Sequence, residues 1–392
     1  MDKIFPARPP PVSGLGRYRR LSPRAGVHVS PIQLGAMSIG DQWHDSLGSM
    51  DKQASFALLD TYFDKGGNFI DTANNYQDGS SERFIGEWAE QRGIRDRLFI
   101  ATKYSNNWKI REPDTLKTHQ ILYLGNHSKS LKLSVEQSLK NLRTSYIDLL
   151  YVHWWDFQTS IEEMMNALHN LVTQGKVLYL GVSDSPAWAV AQANQYARDH
   201  NLTPFVVYQG SWNVMERDFE REIIPMARAN GMALAPFNVL AGGKIRTDAE
   251  EERRLKSGEN GRTVFSDEWR RNDRERAVCA ALEKVAAEVG AKHITSVAIA
   301  YVLHKTINVF PIIGGRKTEH LIANLEALEI TLSDEQVAYL ESVVPFDLGF
   351  PGNFIGNETH GMVDFMGMNV LERVSQPQPA KPRIHKAAES SN

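Results

Sequence analysis

Cysteine is nearly absent: Cys279 is the only one among 392 residues. One thiol makes no internal disulfide and no cysteine-based metal cluster, and no metal site of another kind is expected. It fits a reducing compartment, so a cytoplasmic location is expected. No apolar run approaches the roughly 20 residues that a membrane-spanning helix needs, and no membrane association is expected. The opening MDKIFPARPPPVSG has no apolar stretch of the secretory kind. Its Asp2 and its prolines also speak against a transit peptide, and the closing AESSN is not a peroxisomal tripeptide. Neither sign of charge dominates. Lys and Arg number 44 against 47 Asp and Glu, a net of −3, which leaves no electrostatic case for a nucleic acid partner.

What is present is alternation. Residues 1–20 are rich in Pro and Arg and read as an irregular arm. Residues 351–392 read as an extension, disordered from about 376, where QPQPAKPRIHKAAESSN has no periodicity. Between them, eight short runs are almost continuously apolar: 32–40, 68–73, 98–104, 147–155, 177–184, 205–212, 232–240 and 308–315. Such runs suit strands buried on both faces. Amphipathic stretches separate them, among them KQASFALLDTYFDKGG and DFEREIIPMARANG, each closed by glycine. SIEEMMNALHNLVTQGK opens with Ser160 and Glu163 at the spacing of a capping box. Eight strands alternating with helices predict an α/β chain, a single-domain (β/α)8 TIM barrel over residues 21–350. Two connections, 104–130 and 241–274, exceed what a turn requires, and both follow strand C-terminal ends. The second carries TDAEEERRLKSGENGR and is expected to be mobile.

Polar residues end the apolar runs. Asp71 ends the second strand, Lys103 the third and His153 the fourth, and Tyr76 sits in the loop behind Asp71. In a barrel all four face the mouth where active sites form. A phenol is a weak acid at neutral pH; a neighbouring ammonium stabilises the phenolate and lowers its pKa. Lys103 is expected to do this for Tyr76, with Asp71 as the counter-charge that a buried lysine needs. A neutral His153 would hydrogen-bond a carbonyl oxygen. An Asp–Lys pair alone is as often structural as catalytic, and a histidine among apolar residues is usually core. Their coincidence on three successive strand ends favours proton transfer to a carbonyl.

GGNFIDTANNYQDGSSERFIGEW, IDLLYVHW and GKVLYLGVSD resemble successive signatures of the aldo-keto reductases. MSIGDQWHDSLGSMDK, YVHWWD and PIIGGRKTEHL resemble its fungal aryl-alcohol dehydrogenase and norsolorinic acid reductase-like branch. The likeness spans most of residues 15–350. It implies a (β/α)8 barrel, an Asp71, Tyr76, Lys103 and His153 tetrad with Tyr76 as general acid, and NADP(H) as cofactor. It assigns the nicotinamide carboxamide to Ser183, Asp184 and Gln209, with Asp71 nearby, and the ring face to Phe237. Asp184 stands where the wider family has asparagine. The pyrophosphate falls to Asn238, Leu240, Gly242 and Lys244. Gly315, Arg316 and Lys317 take the adenosine 2′-phosphate at a helix start, and His320 and Asn324, four residues apart, take the adenine end. The implied substrate is a small carbonyl or alcohol compound touching His153. Trp154, Trp43 and Trp108, with Trp155 and Tyr104, suit a pocket for a flat apolar molecule as well as they suit a core. Two other functions stay open: a pathway-specific enzyme using the same residues for another reaction, and a nucleotide-sensing binding protein of this fold.

Overall fold

The computed structural model describes residues 10–44, 48–111, 114–258, 268–356, 361–367, 372 and 377–381. The rest of the expected arm and extension lies outside these residues. The chain enters through a hairpin that the apolar pattern does not announce. β1 (Arg19–Ser22) pairs antiparallel with β2 (Ala25–Val29) across Pro23 and Arg24.

Eight parallel strands follow: β3 (Gln33–Gly35), β4 (Phe69–Asp71), β5 (Phe99–Tyr104), β6 (Ile147–Val152), β7 (Val177–Ser183), β8 (Phe205–Ser211), β9 (Ala233–Phe237) and β10 (Ile312–Gly314). Their order is β10-β3-β4-β5-β6-β7-β8-β9. A bridge between Leu234 and Val309 closes the ring, with Phe310 N donating to Leu234 O at 2.8 Å. Each strand lies within its expected apolar run. Most stop short of the run's end because the trailing residues, such as His153 and Asn238, leave the sheet to form the mouth.

The helices α1 (Lys52–Asp64), α2 (Ser80–Arg92), α3 (Ser128–Asn141), α4 (Ile161–Thr173), α5 (Ala187–Asp199) and α6 (Ile223–Asn230) each return the chain to the next strand. α4 shows why they form. Met164, Met165, Leu168 and Leu171 recur at helical spacing and are buried. Ser160 Oγ accepts from Glu163 N at 3.1 Å. The expected capping box is only half built, because the Glu163 carboxylate accepts from Ser128 N at 2.9 Å, at the start of α3.

Inside the ring, Phe69, Phe99, Leu149, Val207 and Phe310 pack into an apolar layer with Leu21, Ala25 and Val29 of the hairpin. Phe69 and Phe99 begin their strands, so the hairpin seals the N-terminal end of the barrel and leaves the C-terminal end for chemistry.

The charged segment after β9 differs from the mobile loop expected. It folds into α7 (Asp248–Ser257). Glu251 is buried and accepts from Arg246 Nη2 at 2.7 Å and from Arg271 Nε at 2.9 Å. Despite burial, these two guanidinium groups hold the Glu251 carboxyl down to about 2. The charges thus pair internally and pin both flanks of the segment; residues 259–267 lie outside those described. α8 (Asp273–Val289), α9 (Ile294–Lys305), α10 (Thr318–Leu325) and α11 (Asp334–Val343) complete the outer layer. Near the C-terminus, Lys381 Nζ donates to Leu332 O at 3.0 Å. Among the described residues no helix is long and apolar enough to cross a membrane.

Candidate active site

The turn behind β4 aims the tyrosine. Gln77 and Asp78 both take a φ of 52°, in the left-handed region, and a helical turn from Tyr76 passes into α2. Gln77 holds this shape. It is fully buried, and its Oε1 accepts from Gln42 N at 3.0 Å and Trp43 N at 2.8 Å. Its Nε2 donates to Met37 O and Gly48 O, each at 3.0 Å. One amide therefore ties the turn to both ends of the loop after β3, and the bonds offset the backbone cost.

The Glu82 and Gly86 of the signature prove to be packing residues. Glu82, buried at the start of α2, accepts from Thr102 Oγ1 at 2.7 Å and Asn141 Nδ2 at 3.0 Å. Burial pushes its carboxyl up, against those bonds. A Cβ on Gly86 would lie 2.4 Å from Asn141 O, so only glycine lets α2 and α3 approach this closely.

At the mouth, Asp71, Lys103, Tyr76 and His153 come together. Lys103 Nζ donates to Asp71 Oδ2 at 2.6 Å and to Thr72 O at 2.8 Å. It lies 5.1 Å from the centre of the Tyr76 ring. The Tyr76 ring meets the His153 ring edge-on at 6.1 Å. Lys103 and Asp71 are buried. Burial pulls the Lys103 ammonium down, but Asp71 and then Tyr76 outweigh it, and the net shift is upward. Burial and then the Lys103 charge drive His153 well below the usual histidine value, so its ring is neutral. Tyr76 departs from expectation. Lys103 does pull its phenol down, but burial is the larger influence and the net shift is upward.

The residues expected to hold a cofactor form an arc around the mouth. Gln209 Nε2 donates to Asp71 Oδ1 at 2.9 Å, so that amide also braces the carboxylate. Asp184 follows β7 with a φ of 40°. Burial pushes its carboxyl up to about 6, against a bond from Ser183. The rest of the residue is exposed at the rim. Phe237 ends β9, and Leu240 and Gly242 lie in the turn beyond. Asn238 has a φ of 57° and a buried Oδ1 without a hydrogen-bond partner among the described residues. Lys244 is placed differently from expectation. Its ammonium donates to Arg270 O at 2.5 Å and pairs with Glu275 at 3.3 Å, so its charge serves the segment after β9.

Gly315, Arg316 and Lys317 lead into α10, with Arg316 and Lys317 exposed. A Cβ on Gly48 would lie 2.6 Å from Arg316 Nη1, so the loop after β3 passes directly over this guanidinium. His320 is exposed and Asn324 buried on α10. Two cations at the start of an eight-residue helix suit a phosphate. The cations suit the phosphate of a cofactor, and the orphaned Asn238 Oδ1 adds a buried acceptor for an N–H or O–H of the same molecule.

The aromatics divide. Trp43 meets Tyr76 edge-on at 6.3 Å and donates through Nε1 to Asp78 Oδ1 at 3.0 Å, which places it at the mouth. Trp108 packs on Tyr123 at 5.6 Å, and its Nε1 is buried without a partner among the described residues. Trp154 gives its Nε1 proton to Asn106 Oδ1 at 2.7 Å. Tyr104 is core: it is fully buried and donates to Asn126 O at 3.1 Å. Trp155 packs against the main core. Sequence reasoning missed Gln77 and Asn106. Gln77 had one available signal, its place beside Tyr76 in a turn-forming stretch; Asn106 had none.

A model of the aldo/keto reductase family matches residues 31–345. The chain is 61% identical over 356 residues to an aryl-alcohol dehydrogenase (NADP(+)) of Phanerodontia chrysosporium, spanning 90% of this chain and 92% of that one. It is 46% identical over 393 residues to norsolorinic acid reductase A of Aspergillus parasiticus, spanning 97% of each. An aldo-keto reductase, ausK, of Aspergillus calidoustus is 50% identical over 354 residues, 90% of this chain and 88% of that one. With the ring of parallel strands and the four polar residues at its mouth, this likeness establishes that the chain belongs to the aldo/keto reductase family.

Proposed function

We propose that this chain is an NADPH-dependent oxidoreductase that reduces an aryl or polyketide-type aldehyde or ketone to the alcohol. The observation that carries the reading is the buried Lys103–Asp71 pair beneath Tyr76, with neutral His153 beside it. The names of the Phanerodontia and Aspergillus relatives support the substrate class. Ser183, Asp184, Gln209 and Phe237 would hold the nicotinamide end, Asn238, Leu240 and Gly242 the pyrophosphate, and Gly315, Arg316, Lys317, His320 and Asn324 the adenosine phosphate end. NADPH, when bound, supplies the hydride for the carbonyl carbon.

The chain's own residues manage the proton. A reactant oxygen that gains negative charge becomes far more basic than a phenolate, so Tyr76 can donate even with its pKa raised. Shifted up from the usual phenol range, Tyr76 is protonated at neutral pH, the form that a general acid needs. Lys103 then stabilises the phenolate that remains. Trp43, beside Tyr76, narrows the mouth toward flat apolar compounds. A cytoplasmic location belongs to the same proposal and rests on the lone cysteine.

Loss of NADPH absorbance with a panel of benzaldehydes tests the reading, with NADH in parallel. Tyr76→Phe should lower reduction by about 10²–10⁴-fold and leave NADPH binding nearly intact. Turnover by Tyr76→Phe at the wild-type rate would remove Tyr76 from the role of acid. NADPH binding with no turnover of any aldehyde would favour a binding protein instead.

A further inference from the structure

His153 has two ring nitrogens, and its neutral ring carries one proton between them. The neighbours decide which nitrogen holds it. Trp154 Nε1–H can only donate, and it donates to Oδ1 of Asn106 at 2.7 Å. That contact fixes the Asn106 amide, because the reversed orientation would set two donors face to face. The amide nitrogen then lies 3.1 Å from His153 Nδ1 and 3.3 Å from Asn75 Oδ1. Each of its two protons has an acceptor only if Nδ1 is bare. The backbone holds the pieces in place: Asn106 O accepts from Asn74 Nδ2 at 3.3 Å, and His153 N donates to Tyr104 O at 3.2 Å.

We propose that Asn106 and Trp154 are positioning residues that lock His153 in the tautomer with its proton on Nε2. The ring then offers a donor, never a lone pair, to the oxygen of a bound carbonyl compound. This use of the tautomer rests on the carbonyl-reduction reading; the lock itself does not. It also gives Trp154, which by sequence suits a substrate pocket as well as a core, a further task. Its indole N–H orients an amide that in turn orients the proton of the preceding residue.

Nitrogen NMR of protein labelled with ¹⁵N-histidine reads the tautomer directly, with His153→Asn to assign the signal. Wild type should show a bare Nδ1 and a protonated Nε2. Asn106→Asp puts an acceptor opposite Nδ1 and should convert Nδ1 to the protonated signature. Trp154→Phe keeps an aromatic ring but frees the amide to turn, and should give a mixture of tautomers. In kinetics, Asn106→Leu should lower kcat/KM for an aryl aldehyde by about tenfold, the worth of one well-placed hydrogen bond. Its affinity for NADPH, by fluorescence titration, should stay unchanged. A protonated Nδ1 in wild type, or an Nδ1 signal that ignores both Asn106→Asp and Trp154→Phe, would overturn the proposal. The spectra need no substrate. A correct tautomer in a protein that reduces no aldehyde therefore supports the lock and counts only against the proposed reaction.

Discussion

The ammonium of Lys103 donates to Asp71 Oδ2 at 2.6 Å and to Thr72 O at 2.8 Å, and it lies 5.1 Å from the Tyr76 ring and 5.6 Å from the Tyr151 ring. Its structural and chemical tasks are separable by mutation. Lys103→Met leaves the Asp71 carboxylate buried with Gln209 Nε2 as a remaining donor, and breaking a buried pair this way costs about 3–5 kcal/mol. Urea unfolding should show that loss, and the reduction rate should fall by at least about 10²-fold. Adding Asp71→Asn removes the stranded charge and should recover much of the stability without recovering the rate. Equal unfolding free energies for wild type and Lys103→Met would show that the pair carries no such weight. The sequence makes these four residues visible because ionisable side chains interrupt apolar strands, which is costly unless they are partnered. It cannot show the upward shift of Tyr76, because burial and the Lys103 charge oppose each other there. Nor does it show Asn106, an ordinary asparagine in a loop, whose importance comes from two distances.

At the scale of elements, the loop after β3 links the two ends of the arc. Gln77 fastens it beside Tyr76 through Met37 O, Trp43 N and Gly48 O, and Gly48 rests on Arg316 at the start of α10. The loop's sequence carries no periodicity, so this linking role was not legible in it. α10, by contrast, was legible as a helix start after an apolar run, with two cations before it. Under the proposed function, Arg316 distinguishes NADPH from NADH. One charge-assisted contact to the extra phosphate is worth roughly 1.5–3 kcal/mol. Arg316→Ala should therefore weaken NADPH about tenfold to a hundredfold and leave NADH nearly unchanged in fluorescence titrations. The preference should shrink as salt rises, since the guanidinium is exposed. An equal loss for both cofactors would mean that Arg316 acts by supporting the loop at Gly48.

For the whole molecule, the eight strands were legible because residues buried on two faces are apolar almost without interruption. The hairpin under the barrel was not. It buries one face only, through Leu21, Ala25 and Val29, among arginines and a histidine that stay outside. The buried ion cluster of α7 was misread for a related reason, since a run of charges has the same composition whether it pairs inward or faces water.

The assembled outer layer also sets a dependence of stability on pH. His304 lies buried in α9 and accepts from Leu332 N at 3.4 Å. Burial, then the charges of Lys381 and Arg19, lowers its pKa to about 4. The unfolded chain takes up that proton near pH 6.5, well before the folded chain does. Its contribution is therefore complete above about pH 6.5 and is lost as pH falls toward 4. His153, also depressed, acts with the same sign. Glu251, held near 2, loses its contribution only below the usual glutamate range, so the two windows separate. Between pH 7.5 and pH 5, His304 alone should cost about 2 kcal/mol of unfolding free energy. His304→Asn keeps an acceptor for the Leu332 amide and cannot titrate. Urea titrations at both pH values should show the drop in wild type reduced by about that amount in the variant. An undiminished drop in His304→Asn would assign the acid sensitivity to other groups.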